Sequence, residues 1–99
     1  MKEFQGTKGK WEVKHSESKE AFNVVGSSLG EHYKIARIPY LVTDTLIEVN
    51  NREKKEAELN AILIAAAPEL LKELKLQFDK MDKGSDSYLR VGKLLDRIL

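Results

Sequence analysis

The hydrophobic periodicity changes once along the chain, near Asn50, and this change constrains the fold more than any other feature. Before it, apolar and polar residues alternate with the two-residue period of half-buried strands, as in the segment 11–16. After it, leucines and alanines recur at the spacing of an amphipathic helix. Strands followed by helices predict an α+β domain rather than a wound parallel sheet, in which the two would alternate.

Short strands joined by turns in the first half predict an antiparallel β-meander. Three strands are placed at residues 11–16, 21–25 and 33–38. A turn with two glycines is placed at 26–32, and Arg37 is expected on the same face of its strand as Tyr33 and Ile35. The β-branched segment 45–49 favours a fourth short strand, so the sheet is predicted to contain three to four strands.

The second half predicts a helix broken by a proline. Asn50 or Asn51 is the predicted N-cap. Pro68 disfavours helical backbone at Ala67, so the helix is expected to kink or stop there, with Pro68 as the first residue of a new helix. Gly84 is the predicted C-cap of that second helix.

A last amphipathic helix follows, with Ser85 or Asp86 as its predicted N-cap. The chain is therefore expected to be a single domain over residues 1–99. Its parts are a flexible arm or short strand at 1–10, a β-meander at 11–49 and helices at 51–99. The leucine stripes at 70–81 and 88–99 exceed what so small a sheet can cover, which predicts a homo-oligomer.

Composition excludes several classes of function. The chain has 99 residues, no cysteine and two histidines, which excludes disulfide frameworks, thiol nucleophiles and ordinary zinc sites. A formal charge of +1 gives no field that would attract nucleic acid. No apolar run reaches the roughly 18 residues that cross a bilayer, and the N-terminus lacks the apolar segment of a secretory signal. We therefore expect a cytoplasmic protein with no cofactor, metal or membrane contact.

No catalytic constellation is visible, so we expect a protein that is not an enzyme. His15 is expected to be an ordinary strand residue and His32 a turn residue. Aromatic and basic side chains in the strand half suit a nucleotide, since aromatic faces stack on bases and basic groups pair with phosphate. Trp11 is a candidate for stacking, with core packing as the alternative. Arg37 either extends to the rim of the sheet or meets an anion.

The helix junction at residues 59–71, LNAILIAAAPELL, is the most specific motif. Its small alanines allow another backbone to approach closely. Asn60 is polar in this apolar setting, so its amide is expected either to bond to the sheet or a loop backbone, or to contact a ligand. The segment resembles the NA-x-LIAAAPELL junction that recurs after a β-meander in small bacteriophage and prophage proteins, and the resemblance spans about residues 11–75.

Within this phage group, the sheet and the two following helices are similar to the Thoeris anti-defence sponges. Those oligomeric proteins hold cyclic ADP-ribose-type signals or cyclic oligonucleotides in pockets between protomers, without cleaving them. The resemblance implies sequestration of a cyclic nucleotide immune signal in the cytoplasm of a bacterial host. It implies that Trp11 stacks on the base, Arg37 pairs with phosphate and Asn60 contacts a ribose or base edge.

Two alternative functions stay open. A protein of this kind can inhibit a host enzyme by binding it through amphipathic helices. It can also bind single-stranded nucleic acid on its sheet, with steep salt dependence.

Overall fold

A computed structural model describes residues 3–26, 33–43 and 46–99. Its sheet consists of β1 (Trp11–Ser16), β2 (Ala21–Gly26) and β3 (Tyr33–Pro39), antiparallel and in the order β1-β2-β3. The predicted meander and the α+β class are thereby confirmed. The turn predicted at 26–32 lies outside the described residues apart from Gly26, the last residue of β2, and His32 lies outside them as well.

The helix-facing side of the sheet is built around Phe22 and Val24, both buried. A register shift follows Val24, so β3 carries one extra residue there, and Ile35 packs against the core together with Ile38. Arg37 lies between them in sequence but is exposed. The prediction that Arg37 shares a face with Ile35 is therefore wrong, because a β-bulge interrupts the two-residue alternation.

Helix α1 (Ile47–Ala65) packs across this face of the sheet. Its contact residues Ala57 and Ala61 are buried against Phe22 and Val24. Alanine side chains let the helix backbone lie close to the sheet, so a few small residues and one aromatic ring form the core of this half of the molecule.

The predicted strand at 45–49 is wrong from Ile47 onward, because α1 already begins at Ile47 with Leu46 as its N-cap. Neither Asn50 nor Asn51 caps the helix. The Asn50 Oδ1 atom instead accepts hydrogen bonds from the Thr43 backbone N–H (2.8 Å) and hydroxyl (3.0 Å). Its Nδ2 donates to the Thr43 carbonyl at 2.6 Å. These hydrogen bonds between Asn50 and the preceding loop stabilise the start of the helix. The β-propensity of the segment alone does not predict a helix there.

The predicted break before the proline is confirmed, but the prediction that Pro68 is the first residue of the new helix is wrong by one position, since that helix begins at Ala67. Ala66 is both the C-cap of α1 and the N-cap of α2 (Ala67–Lys80), and Pro68 lies in the first turn of α2. The predicted C-cap at Gly84 is wrong, because the chain becomes extended at Met81 (φ −75°, ψ 148°), whose N–H donates to the Phe78 carbonyl.

Helix α3 (Asp86–Ile98) folds back on α2 to form a helical hairpin. The rings of Phe78 and Tyr88 stack with centroids 4.5 Å apart, and Leu95 is buried. The hairpin is joined to the rest through α1 and leaves the molecule elongated, with extents of 56 × 32 × 17 Å.

The predicted N-cap at Ser85 is confirmed, since its hydroxyl accepts the Tyr88 N–H at 3.1 Å. We expect Ser85→Ala to lower the free energy of unfolding of the hairpin by about 1 kcal/mol, because one backbone donor of α3 loses its partner. Amide hydrogen exchange at Tyr88 and urea unfolding measure this loss. Ser87→Ala is the matched control, because the Ser87 hydroxyl only accepts from Arg90 on the surface. Equal losses in the two variants would contradict the capping role.

Candidate ligand-binding site

The three residues predicted to bind ligand do not converge within one chain. Trp11 begins β1 on the helix-facing side of the sheet and is half-buried. Arg37 is exposed on the opposite face of β3, and Asn60 is exposed on α1. A single site that uses all three side chains therefore does not form in an isolated protomer.

Arg37 lies in a cross-strand row with Asn23 and Lys14 on the face of the sheet that α1 leaves uncovered. Arg37 is exposed there, as a side chain at the rim of a sheet would be. The Asn23 Oδ1 atom is buried and accepts no hydrogen bond from the described residues. The row carries two cationic side chains, Lys14 and Arg37.

One of the two interpretations required the side-chain amide of Asn60 to hydrogen-bond to the sheet or to a loop. Within the described residues it does neither. In the ranges 3–26, 33–43 and 46–99, no residue donates to it or accepts from it. Because Asn60 is exposed, water satisfies its amide, and the helix tolerates the polar residue without a protein partner.

Trp11 contacts a different part of the chain, the segment 3–10, here called the arm. Its indole N–H donates to the Thr7 carbonyl at 3.1 Å. Gly9, with φ of 90°, turns the backbone from the arm into β1, a conformation that glycine adopts without strain. Residues 3–10 form no strand, so the short strand, one of the two alternatives for this segment, is not seen in its described part. The turn and the indole hydrogen bond place the arm alongside α2.

Two adjacent cavities lie between the arm and α2 and together form what we call the arm–α2 cleft. One cavity of about 380 Å³ has lysines in its walls. The other, of about 320 Å³, is almost entirely apolar and includes Trp11. Phe4, Pro68 and Leu71 belong to both walls. These volumes fall at the lower end of the range for small-molecule sites, about 300–1,000 Å³.

The charge of the cleft is positive. Lys8, Lys72 and Lys75 line the first cavity, against one acidic residue, Asp79. Lys72 and Lys75 are three residues apart on α2, so they occupy neighbouring positions on one helix face. The Lys8 ammonium is 3.6 Å from the Glu3 carboxylate, but both groups are exposed, and such a pair contributes little to stability.

The cleft therefore combines two recognition chemistries in one place. Its aromatic and aliphatic walls can hold a flat ring by stacking and burial, and its ammonium groups can pair with phosphate oxygens. Sequence reasoning selected Trp11 and counted Lys8 among the basic side chains that suit a phosphate, but it selected neither Phe4 nor Lys8 as a site residue, because their positions depend on how the arm packs. Lys72 and Lys75 carried a readable signal, since they flank the leucine stripe of α2.

A second polar cluster lies at the edge of the sheet. His15 Nε2 and the Tyr40 hydroxyl share a hydrogen bond of 2.6 Å, and the His15 ring stacks on Phe22 with centroids 4.6 Å apart. Burial, followed by the nearby carboxylates of Glu20 and Glu17, raises the pKa of Tyr40 above its ordinary value of 10.0. The arrangement is structural, since it joins two strands and the loop after β3.

We expect Glu20→Gln to lower the pKa of Tyr40, because removing a negative charge makes the phenolate easier to form. Since folding raises this pKa, the phenol stabilises the fold below about pH 10, and this contribution is lost as pH rises through the folded-state pKa. An absorbance titration of tyrosinate, with Tyr40→Phe subtracted, measures the shift. Lys19→Gln is the charge-altering control on the same turn. A Tyr40 pKa that does not fall in Glu20→Gln would contradict the electrostatic assignment.

No helix in the described part of the chain is long and apolar enough to span a membrane, and those residues contain no cluster suited to a metal ion. A family model described as Salmonella phage P22 protein Y8K6 matches residues 1–96. The match extends through the last helix, beyond the region covered by the resemblance of the helix junction. Neither a curated protein nor a solved structure matches the chain.

Proposed function

The chain belongs to the family of Salmonella phage P22 protein Y8K6 and is a small phage protein; from this premise we propose that it binds and sequesters a cyclic nucleotide. The ligand is a signal of host immunity, of the cyclic ADP-ribose or cyclic oligonucleotide type. The protein acts in the cytoplasm of the infected bacterium as a binding protein and not as an enzyme.

The observation that carries the proposal is the meeting of Trp11 and Phe4 with Lys72 and Lys75 in the arm–α2 cleft. A cyclic nucleotide presents a flat base and an anionic phosphate within a few ångströms of each other. The apolar cavity suits the base, and the adjacent cationic cavity suits the phosphate. The two cavities share a wall formed by Phe4, Pro68 and Leu71. This shared wall supports a single ligand that spans both cavities.

In this proposal Trp11 keeps its predicted stacking role. The phosphate contact passes from Arg37 to Lys72 and Lys75, because Arg37 lies on the far face of the sheet. Phe4 and the arm cover the base from the other side. No bond is made or broken, so the protein removes signal by mass action, and its binding sites must outnumber the signal molecules.

Native mass spectrometry tests the proposal with a panel of cyclic ADP-ribose isomers and cyclic di- and trinucleotides. We expect retention of at least one intact ligand at one per chain. The double substitution Lys72→Ala, Lys75→Ala is expected to weaken binding by about 10- to 100-fold, since each charged hydrogen bond contributes about 1.5–3 kcal/mol before solvent screening.

The double substitution Lys80→Ala, Lys83→Ala is the matched control, because it removes the same charge at the same spacing but outside the cleft walls. Binding that survives the cleft substitutions, or that falls equally in the control, would remove the cleft from the proposal. Failure of every ligand in the panel to bind would reject the function itself.

A second candidate function is inhibition of a host protein through the helices. It is favoured by exposed apolar side chains of the hairpin outside the cleft, which include Leu89 and Leu94. The double substitution Leu89→Ser, Leu94→Ser distinguishes the two functions, because it makes this hairpin surface polar but leaves every residue of the cleft walls in place. A variant that still binds the cyclic nucleotide but no longer inhibits the host protein shows that the two functions use different surfaces, and loss of anti-defence activity despite intact nucleotide binding favours inhibition.

A further inference from the structure

The C-terminal half of α1 is apolar on two opposite faces. Ala57, Ala61 and Ile64 face the sheet. On the far side lies a second apolar row, which we call the outer seam: Leu59, Ile62 and Leu63 of α1, with its C-cap Ala66. These four positions are spaced i, i+3, i+4 and i+7, so they form one continuous stripe.

The outer seam is not covered by the protomer itself. Leu59, Ile62 and Leu63 are 52%, 51% and 64% exposed. A contiguous stripe of three exposed large aliphatic side chains is typical of an interaction surface rather than of a helix face that stays in solvent.

The total accessible surface of the chain also indicates a missing partner. The chain exposes 7506 Å², whereas a compact monomer of 11.3 kDa exposes about 5,700 Å². Its radius of gyration is 17.3 Å, against about 13 Å for a compact domain of this length. The excess of roughly 1,800 Å² is spread over the whole elongated chain, and it is larger than the ~800 Å² that each partner of a standard interface buries.

We propose that a second copy of this chain covers the outer seam, in a two-fold symmetric dimer with α1 packed against α1. Two copies of the outer seam can pack against each other, because its four side chains carry no charge. A two-fold axis brings the same apolar residues of the two protomers into contact. The net charge of +1 opposes self-association only weakly. Ala66 adds a small residue at one end, where two backbones can approach.

This inference does not depend on the ligand. It agrees with the homo-oligomer predicted from the sequence but assigns the contact to a different surface. The sequence prediction used the stripes at 70–81 and 88–99, whereas the outer seam lies on the helix before them. The hairpin surface stays available, so dimer formation and ligand binding can be tested separately.

Sedimentation equilibrium of the full chain at tens of micromolar tests the dimer. We expect twice the 11.3 kDa chain mass for the wild type. The double substitution Ile62→Glu, Leu63→Glu is expected to weaken association by at least about 100-fold, because it places like charges at the centre of the interface. Ile47→Glu is the control, since Ile47 is the most exposed large aliphatic residue of α1 but lies outside the seam.

A second variant keeps the test independent of folding. The chain has no cysteine, so Leu63→Cys introduces a single thiol. Oxidation is expected to give a covalent dimer of Leu63→Cys but not of Ile47→Cys. A monomeric wild type, or self-association that survives the two glutamates while Leu63→Cys fails to cross-link, would overturn the proposal.

Discussion

Phe22→Ala is expected to lower the free energy of unfolding by about 3–5 kcal/mol, the usual loss for a buried phenylalanine. Phe22 is buried at the centre of the helix-facing side of the sheet, against Val24, Ala57 and Ala61. Its other neighbours are small or lie at the edge of the sheet, so they cannot fill the cavity that truncation leaves. The ring also contacts Tyr40, with centroids 5.5 Å apart.

The expected loss is a large part of the total free energy of unfolding, because the hydrophobic core is small. A domain of this size has a total stability of about 5–10 kcal/mol, so loss of Phe22 leaves a protein close to its unfolding threshold. Urea unfolding followed by circular dichroism measures the change. Phe4→Ala is the matched control, because Phe4 is only half-buried in the arm. A loss for Phe4→Ala as large as that for Phe22→Ala would contradict the placement of the core.

Leu95→Ala is expected to lower the stability of the helical hairpin by about 2–5 kcal/mol. Leu95 is 2% exposed and is the one buried residue that the described part of the hairpin contains. Helix α3 makes its main contacts with α2, so the loss of its one buried side chain removes much of what holds it. We expect α3 to undock while the sheet and α1 stay folded.

Hydrogen exchange resolves the two halves of the molecule. In Leu95→Ala, amides of α3 are expected to exchange faster, with little change in β2. Leu94→Ala is the matched control on the adjacent residue, which is 42% exposed, and we expect a loss below about 1 kcal/mol for it. If Leu94→Ala destabilises the hairpin more than Leu95→Ala, the packing face of α3 is wrong.

Features set by local chemistry could be predicted from the sequence. The alternation of Trp11 to Ser16 predicted β1, because a half-buried strand needs nothing beyond its own period. Pro68 predicted the break between α1 and α2, because proline has no N–H for the interior of a helix and is tolerated in the first turn of a new one. Ser85 predicted the start of α3 through its own hydroxyl.

Features set by distant contacts could not be predicted. The start of α1 depends on the hydrogen bonds between Asn50 and Thr43, which overrode the β-branched segment before the helix. The face of Arg37 depends on a bulge in β3 that leaves no mark in the sequence. Trp11 is the one residue of the candidate site that was predicted. The other walls of the site depend on how the arm packs against α2.

Titration of Trp11 fluorescence tests ligand capture in the arm–α2 cleft most directly. Trp11 is the single tryptophan of the chain and lines the apolar cavity, so its emission is sensitive to a ligand in that cavity. We expect a cyclic ADP-ribose isomer or a cyclic dinucleotide to quench it saturably at one ligand per chain, and we expect Lys72→Ala, Lys75→Ala to shift the quenching curve to about 10- to 100-fold higher ligand concentrations. Unchanged Trp11 emission with every ligand, or equal quenching in the wild type and in the lysine variant, would contradict ligand capture in the arm–α2 cleft.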